Sequence, residues 1–408
     1  MTTAPDLGPP STDDLADAVT HGAGASPVGA DAPGDDELAA FRALCRDFVA
    51  KEITPQHRQW ESDGIVPREV WARAGAAGLL GLSLPERFGG GGIDDYRFNA
   101  ALVEELYRAG ATGPGFGLHN DICAPYYATL ATEEQLARWV PGMVSGELVT
   151  AIAMTEPGAG SDLQGIRTLA RPTADGWEVS GSKTFITNGI NADLVIVVAR
   201  TDPDAGSRGL SLLVLERGMP GFERGRNLDK VGMHAQDTAE LFFDAVPVPR
   251  DNLLGEEGHG FAALMQNLAQ ERLSLAVQAV ASMEGVLEET LGYVKQRKVF
   301  GAPVGSYQHN KWLLSDLATQ VTVARTFLDW GVAQHGRRAL TPAAAAMIKL
   351  HTTETQQHVL DRCLQLFGGY GYTTDYAVGR AWADARVQTI YGGTSEVMKE
   401  IVGRSLGL

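Results

Sequence analysis

The chain has 408 residues, 44% hydrophobic and 21% charged, with a net charge of −16. That length can bury a large core over two or three structural units, and so acidic a balance argues against nucleic acid as the main partner. Half of the net charge falls in the first forty residues, which hold seven Asp and one Glu and neither Lys nor Arg.

Residues 1–36 are rich in Ala, Gly, Pro and Asp and poor in large apolar side chains, a composition that predicts a disordered acidic tail. They hold no basic region followed by an apolar one, and none of the Arg that a transit peptide uses. No apolar run reaches the roughly 18 residues needed to span a bilayer. The expectation is a cytoplasmic protein without a membrane span.

Residues 37–148 read as an N-terminal helical domain. Helical periodicity starts at Leu38, Phe41, Leu44 and Phe48, with Asp35 or Asp36 as N-cap, and Pro55 is expected to end or kink that helix. Further helices are predicted over 68–78, 95–109 and 132–140, the last opened by a Thr132/Gln135 capping box. Glycine clusters at 89–92 and 110–117 separate them.

Residues 149–255 change to short β-branched runs. Strands are predicted at Val149–Met154, Trp177–Val179, Leu194–Arg200, Leu210–Leu215 and Leu241–Phe243, with a hairpin signal at Asp175-Gly176. Residues 256–408 return to long helices, over about 261–298, 307–336, 341–367 and after Thr394, a pattern that suggests an antiparallel bundle. Cys45, Cys123 and Cys363 lie far apart, match no metal-ligand spacing, and read as buried free thiols. No metal site is expected.

The stretch Ala151–Ile166, AIAMTEPGAGSDLQGI, carries the densest chemical signal. An apolar strand end meets Pro157, which cannot donate to a ladder, and then Gly158, Ala159 and Gly160, which let backbone approach a flat ligand. Thr155 and Ser161 frame that gap with hydroxyls. By spacing alone the stretch reads equally as a ligand site or as a tight polar turn. Gly115-Phe-Gly117 is no dinucleotide fingerprint, because it does not follow a strand. Neither a Walker motif nor HExxH nor CxxC is present.

The stretch resembles the first signature of the acyl-CoA dehydrogenase family, FAD enzymes that desaturate acyl thioesters. The resemblance extends from about residue 37 to the C-terminus. It implies an α+β fold: an N-terminal helical domain, a middle β-barrel domain and a C-terminal four-helix bundle that forms a homotetramer core. By the same resemblance, Met154, Thr155, Gly160 and Ser161 line the flavin and the thioester. Phe185 and Thr187, in Ser-Lys-Thr-Phe-Ile-Thr-Asn-Gly, pack on the flavin's other face; the alternative for Phe185 is a hairpin with a core aromatic. Arg297, in Gln-Arg-Lys-Val-Phe-Gly, resembles the arginine that reaches a neighbouring subunit's pyrophosphate, a task that suits a guanidinium fork. Gln308, Gln365, Gly369, Thr394 and Glu396 stand at family positions for further cofactor contacts.

Many family members carry their catalytic base in Ile-Tyr-Glu-Gly-Thr, whereas this chain reads Ile390-Tyr-Gly-Gly-Thr394. The carboxylate is missing at Gly392, although the backbone amide remains as a donor for the thioester carbonyl. Glu271, in Gln-Glu-Arg-Leu, matches the base position of the long-chain and isovaleryl branches, and the long-chain branch is the nearer resemblance. Its apolar neighbours would raise its pKa toward that of a general base; the alternative is a surface glutamate paired with a cation. Arg272 and Tyr391, with Ser161, are expected along the acyl slot. The implied reaction takes the α-proton to Glu271 and the β-hydride to flavin N5, with electron-transfer flavoprotein as acceptor. Alternatives are an acyl chain on an acyl carrier protein, an oxygen-reactive oxidase or hydroxylase on the same scaffold, and a catalytically silent flavin-binding subunit.

Overall fold

The computed structural model describes residues 34–408. Helix α1 (Asp35–Phe48) begins inside the segment assigned to the tail, most of which lies outside the described residues. Gly34, at φ 97°, takes the N-cap place in which the sequence predicts Asp35 or Asp36. Both aspartates sit instead in the first turn, where negative charge favours the positive end of the helix dipole. At Pro55 the chain kinks rather than ends: a π-helical turn, Val49–Ile53, leads into α2 (Thr54–Asp63), whose first turn accommodates the proline.

Three more pieces, α3 (Arg68–Ala76), α4 (Tyr96–Arg108) and α5 (Ala124–Leu130), are followed by α6 (Glu133–Ser145). The capping box forms as expected: Gln135 N–H donates to Thr132 Oγ1 at 3.3 Å, and Thr132 N–H donates to Gln135 Oε1 at 2.9 Å. Helix α6 then runs through Pro141 instead of stopping before it.

Seven strands make one curled sheet: β1 (Thr150–Ala153), β2 (Leu169–Pro172), β3 (Gly176–Thr187), β4 (Leu194–Arg200), β5 (Leu210–Glu216), β6 (Phe222–Asn227) and β7 (Thr238–Pro249). The path runs β1-β4-β2-β3-β7-β6, with β5 on the other side of β4. Strands β4 and β5 are buried on both faces, which is why they read as unbroken apolar runs. Ile196, Val198, Leu212 and Val214 pack toward the N-terminal helices, while Val195, Val197, Leu213 and Leu215 fill the curl with Val179, Leu241 and Phe243.

Helix α7 (Gly260–Gln296) is the longest element, followed by a short hairpin of β8 (Lys298–Val299) and β9 (Ala302–Pro303). Helices α8 (Gln308–Gly336), α9 (Pro342–Phe367), α10 (Ala377–Ala385) and α11 (Ser395–Ser405) complete the chain. Helix α9 packs on α7, α8 and α11. Ion pairs join the bundle to the N-terminal helices. Arg325 of α8 bonds Glu104 of α4 at 2.6 Å and Glu284 of α7 at 2.8 Å. Among the described residues no helix is long and apolar enough to cross a membrane.

Candidate active site

Helix α7 places Glu271 inside the protein, 6% exposed, on one face with Leu275 and Gln278. The surface-glutamate alternative is therefore excluded. Burial pushes the carboxyl up to about 7, against the opposing pull of a Tyr126 hydrogen bond and the Arg272 charge. Tyr126 O–H, fully buried in α5, donates to Glu271 Oε1 at 2.9 Å. Oε2 has no partner among the described residues. Arg272 is buried as well, and its Nε has no hydrogen-bond partner among the described residues. Tyr126 escapes the sequence reading because a tyrosine in Pro-Tyr-Tyr-Ala gives no sign of which helix it will face.

The second part of the site is the turn between α10 and α11. Gly392 and Gly393 are both left-handed, at φ 62° and 98°. A Cβ on Gly392 would run into Leu275 Cδ1, so the turn rests on α7 one helical turn beyond Glu271. Among the described residues the Gly392 amide makes no hydrogen bond within the chain. Tyr391 O–H donates to Gln278 Oε1 at 3.1 Å, and Lys349 Nζ donates to the Gly393 carbonyl at 2.7 Å. Thr394 caps α11, accepting from Val397 N–H at 3.3 Å, and Glu396 stands exposed in its first turn.

The loop Met154–Ser161 is held from beneath. Glu156 and Lys183 form a buried ion pair at 2.8 Å, and Lys183 also donates to the Met154 carbonyl at 3.0 Å. Glu156 accepts in addition from the amides of Arg167 and Thr168 at 2.7 and 2.9 Å. Burial pushes Lys183 down to about 8 and also pushes Glu156 up. Lys183 and the amides outweigh that and hold Glu156 below its ordinary value, so both are ionised at neutral pH. The signature glutamate thus shapes the loop. A Glu–Lys pairing between a loop and a distant strand leaves no periodic trace from which to predict it.

Above this anchor the loop is open. A Cβ built on Gly158 or Gly160 meets nothing within 4 Å, and Ser161 is exposed. Thr184 N–H donates to the Thr155 carbonyl at 2.9 Å, which sets the end of β3 beside the loop. There a bulge breaks the β3–β7 register between Lys183 and Ile186 and turns Phe185 outward, at φ 60° and 67% exposed. A core aromatic in a plain hairpin, the alternative, is not what forms. Thr187 ends the strand half-buried.

Arg297, Gln308, Gln365 and Gly369 gather elsewhere, all of them exposed. Arg297 follows the last residue of α7, with its guanidinium 5.6 Å from the Tyr370 ring centre. At 1.5 Å per residue, Arg297 lies about 40 Å along the helix from Glu271. One chain therefore brings together Glu271, Arg272, Tyr391 and Gly392, and separately Met154, Thr155, Gly160, Ser161, Phe185 and Thr187. It leaves the Arg297 group at the far end.

Three family models match in chain order: "Acyl-CoA dehydrogenase, N-terminal domain" over residues 35–147, the middle domain over 151–246 and the C-terminal domain over 258–407. The chain is 50% identical to the pig (Sus scrofa) long-chain specific acyl-CoA dehydrogenase, mitochondrial, over 90% of this chain and 85% of that one. It superposes on the acyl-CoA dehydrogenase from Geobacillus kaustophilus with a TM-score of 0.90 and 47% identity, covering 91% of this chain and 98% of that one. A chain in the structure of the electron transferring flavoprotein of Acidaminococcus fermentans matches with a TM-score of 0.87 and 34% identity, covering 92% and 99%. With all three parts matched in order, this chain belongs to the acyl-CoA dehydrogenase family of FAD-dependent oxidoreductases.

Proposed function

We propose that the chain desaturates an acyl-CoA thioester between Cα and Cβ, with Glu271 as the base that removes the α-proton. One observation carries this reading. Glu271 is enclosed, its carboxyl sits near neutrality, one oxygen is tethered by Tyr126, and the other has no partner. A general base works best with a pKa close to the working pH and an oxygen left for the proton.

The residues present fit FAD. Phe185 offers an aromatic face held out in solvent by a left-handed bulge, and the loop at Gly158 and Gly160 has room above it. Met154, Thr155, Gly160, Ser161, Phe185 and Thr187 would hold it from the sheet, and Thr394 and Glu396 from the start of α11. Arg297 stands about 40 Å along the helix from Glu271, and Gln308, Gln365 and Gly369 lie on other elements, so the four would serve a neighbouring chain's cofactor in a homotetramer. When bound, FAD supplies the acceptor for the hydride that leaves Cβ.

The protein's own part is positional and electrostatic. Arg272, Tyr391 and Ser161 border the acyl slot. The unbonded Gly392 amide donates to the thioester carbonyl and stabilises the charge that develops there as the α-proton leaves. Glu271 Oε2 takes that proton, while Tyr126 keeps the carboxyl oriented. Burial of both groups keeps water from competing. Electron-transfer flavoprotein is the proposed acceptor of the electrons. A cytoplasmic location also remains a proposal, since the pig relative is named as mitochondrial.

The test is Glu271→Gln, which keeps shape but loses basicity. Anaerobic flavin bleaching across a panel of acyl-CoA lengths should slow at least about 10²-fold. Bleaching as fast as in the parent would place the base elsewhere.

A further inference from the structure

Lys349 lies about two turns into α9, in the apolar run Ala-Ala-Ala-Ala-Met-Ile-Lys-Leu, and is 0% exposed. Its ammonium donates to one acceptor, the Gly393 carbonyl, at 2.7 Å. Burial first, and then the nearby Arg272 charge, push its pKa down to about 8; Glu354 and Glu396 oppose this without forming an ion pair with it. A buried cation with a single neutral partner is an expensive arrangement.

The turn that it touches is otherwise weakly held. Two successive left-handed glycines have wide conformational freedom. Before them, Ile390 and Tyr391 N–H donate to the Val387 carbonyl at 2.8 and 3.0 Å. After them, Thr394 opens α11. Between those fixed ends, among the described residues, Lys349 alone bonds the glycine pair. Leu275 beneath Gly392 and Met398 beside Gly393 close off space but set no direction.

We propose that Lys349 is a positioning residue: by holding the Gly393 carbonyl it fixes where the unbonded Gly392 amide points, and so how strongly that amide polarises the thioester carbonyl. This rests on the reading above, in which the Gly392 amide is the carbonyl's donor. Lys349 is fully buried and its ammonium meets the Gly393 carbonyl. It acts through the turn, from a helix remote in sequence.

The test uses FAD-loaded parent, Lys349→Met, Lys349→Gln and Glu271→Gln. Three quantities are read: the rate of flavin reduction by saturating acyl-CoA, KM in steady-state turnover, and the isotope-edited carbonyl stretch of a bound enoyl-CoA by infrared difference. Lys349→Met should slow reduction about 10- to 100-fold, the scale expected for a displaced donor. KM should change by less than about 3-fold, because the CoA and chain contacts remain. The carbonyl stretch should move toward its value in solution. Lys349→Gln keeps an N–H donor without the charge and should recover part of both effects. A parent-like stretch in folded, flavin-loaded Lys349→Met overturns the proposal whatever its rate, because Lys349 would then only stabilise the fold. Should Lys349→Met not fold, Lys349→Gln decides: an intermediate stretch supports the proposal, and a parent-like one overturns it. Glu271→Gln should be slow with a parent-like stretch. A fast Glu271→Gln overturns the underlying base assignment and leaves the stretch comparison standing.

Discussion

Glu271 holds its proton near neutrality because burial disfavours the carboxylate, and the Tyr126 hydroxyl opposes that by bonding the ionised form. Proton removal needs the ionised form, so kcat/KM should rise with pH and level off above about 7. Tyr126→Phe removes the opposing bond, so the folded pKa rises and the rising limb moves to higher pH. At pH 7 the rate should fall about 3- to 10-fold, with less loss at higher pH, and a pH–rate profile of the two proteins checks it. Gly392 carries a second prediction. Restoring the glutamate of other family members there fails on two counts: φ is 62°, and the new Cβ meets Leu275 Cδ1. Glu271→Gly with Gly392→Glu should therefore stay inactive, and only with Leu275→Ala added should some rate return. Recovery in the double variant without the Leu275 change would show that the turn yields more easily than its packing implies.

The Met154–Ser161 loop depends on β3, a strand that is not its neighbour in sequence. Lys183→Met leaves Glu156 buried without its cation, and breaking a buried pair from one side costs about 3 to 5 kcal/mol. The variant should melt earlier and lose FAD on dilution, measurable by differential scanning fluorimetry and by flavin content after gel filtration. A parent-like melting temperature would mean that the amides of Arg167 and Thr168 suffice. This element also marks what the sequence discloses. Strand β4 was legible to the residue because both its faces are apolar, and the long helices because their periodicity runs for many turns. Strand β6, Phe-Glu-Arg-Gly-Arg-Asn, is a largely polar edge strand and carries no such pattern. The apolar cores of β3 and β7 were visible, but bulges let both strands run on past them. Helix α10, nine residues with Gly379 and four alanines among them, is also missed. Within the site, Glu271 and Gly392 could be read by resemblance, whereas Tyr126, Glu156, Lys183 and Lys349 act through contacts between distant segments. Lys349 alone left a trace, a lone cation inside an apolar helical run.

At the scale of the molecule, α7 is the axle, with the proposed base near one end and Arg297 beyond the other. Arg297→Ala should weaken FAD retention by removing a charge-assisted contact, without changing the pH at which Glu271 titrates; equilibrium dialysis and the pH profile separate the two. Light scattering should give a tetramer, and a monomer with full flavin content would refute the shared sites. The separation along α7 also has a genetic reading. If each site draws Glu271 from one chain and Arg297 from its neighbour, then Glu271→Gln and Arg297→Ala are defects in different halves of the same site. Two crippled proteins, unfolded together and refolded as a mixture, should complement each other. In a reciprocal pair containing one of each, one site inherits both lesions and the other inherits neither. Random assortment would restore about one site in four. Cells that express both variants together should then show more dehydrogenase activity than cells that express either one alone.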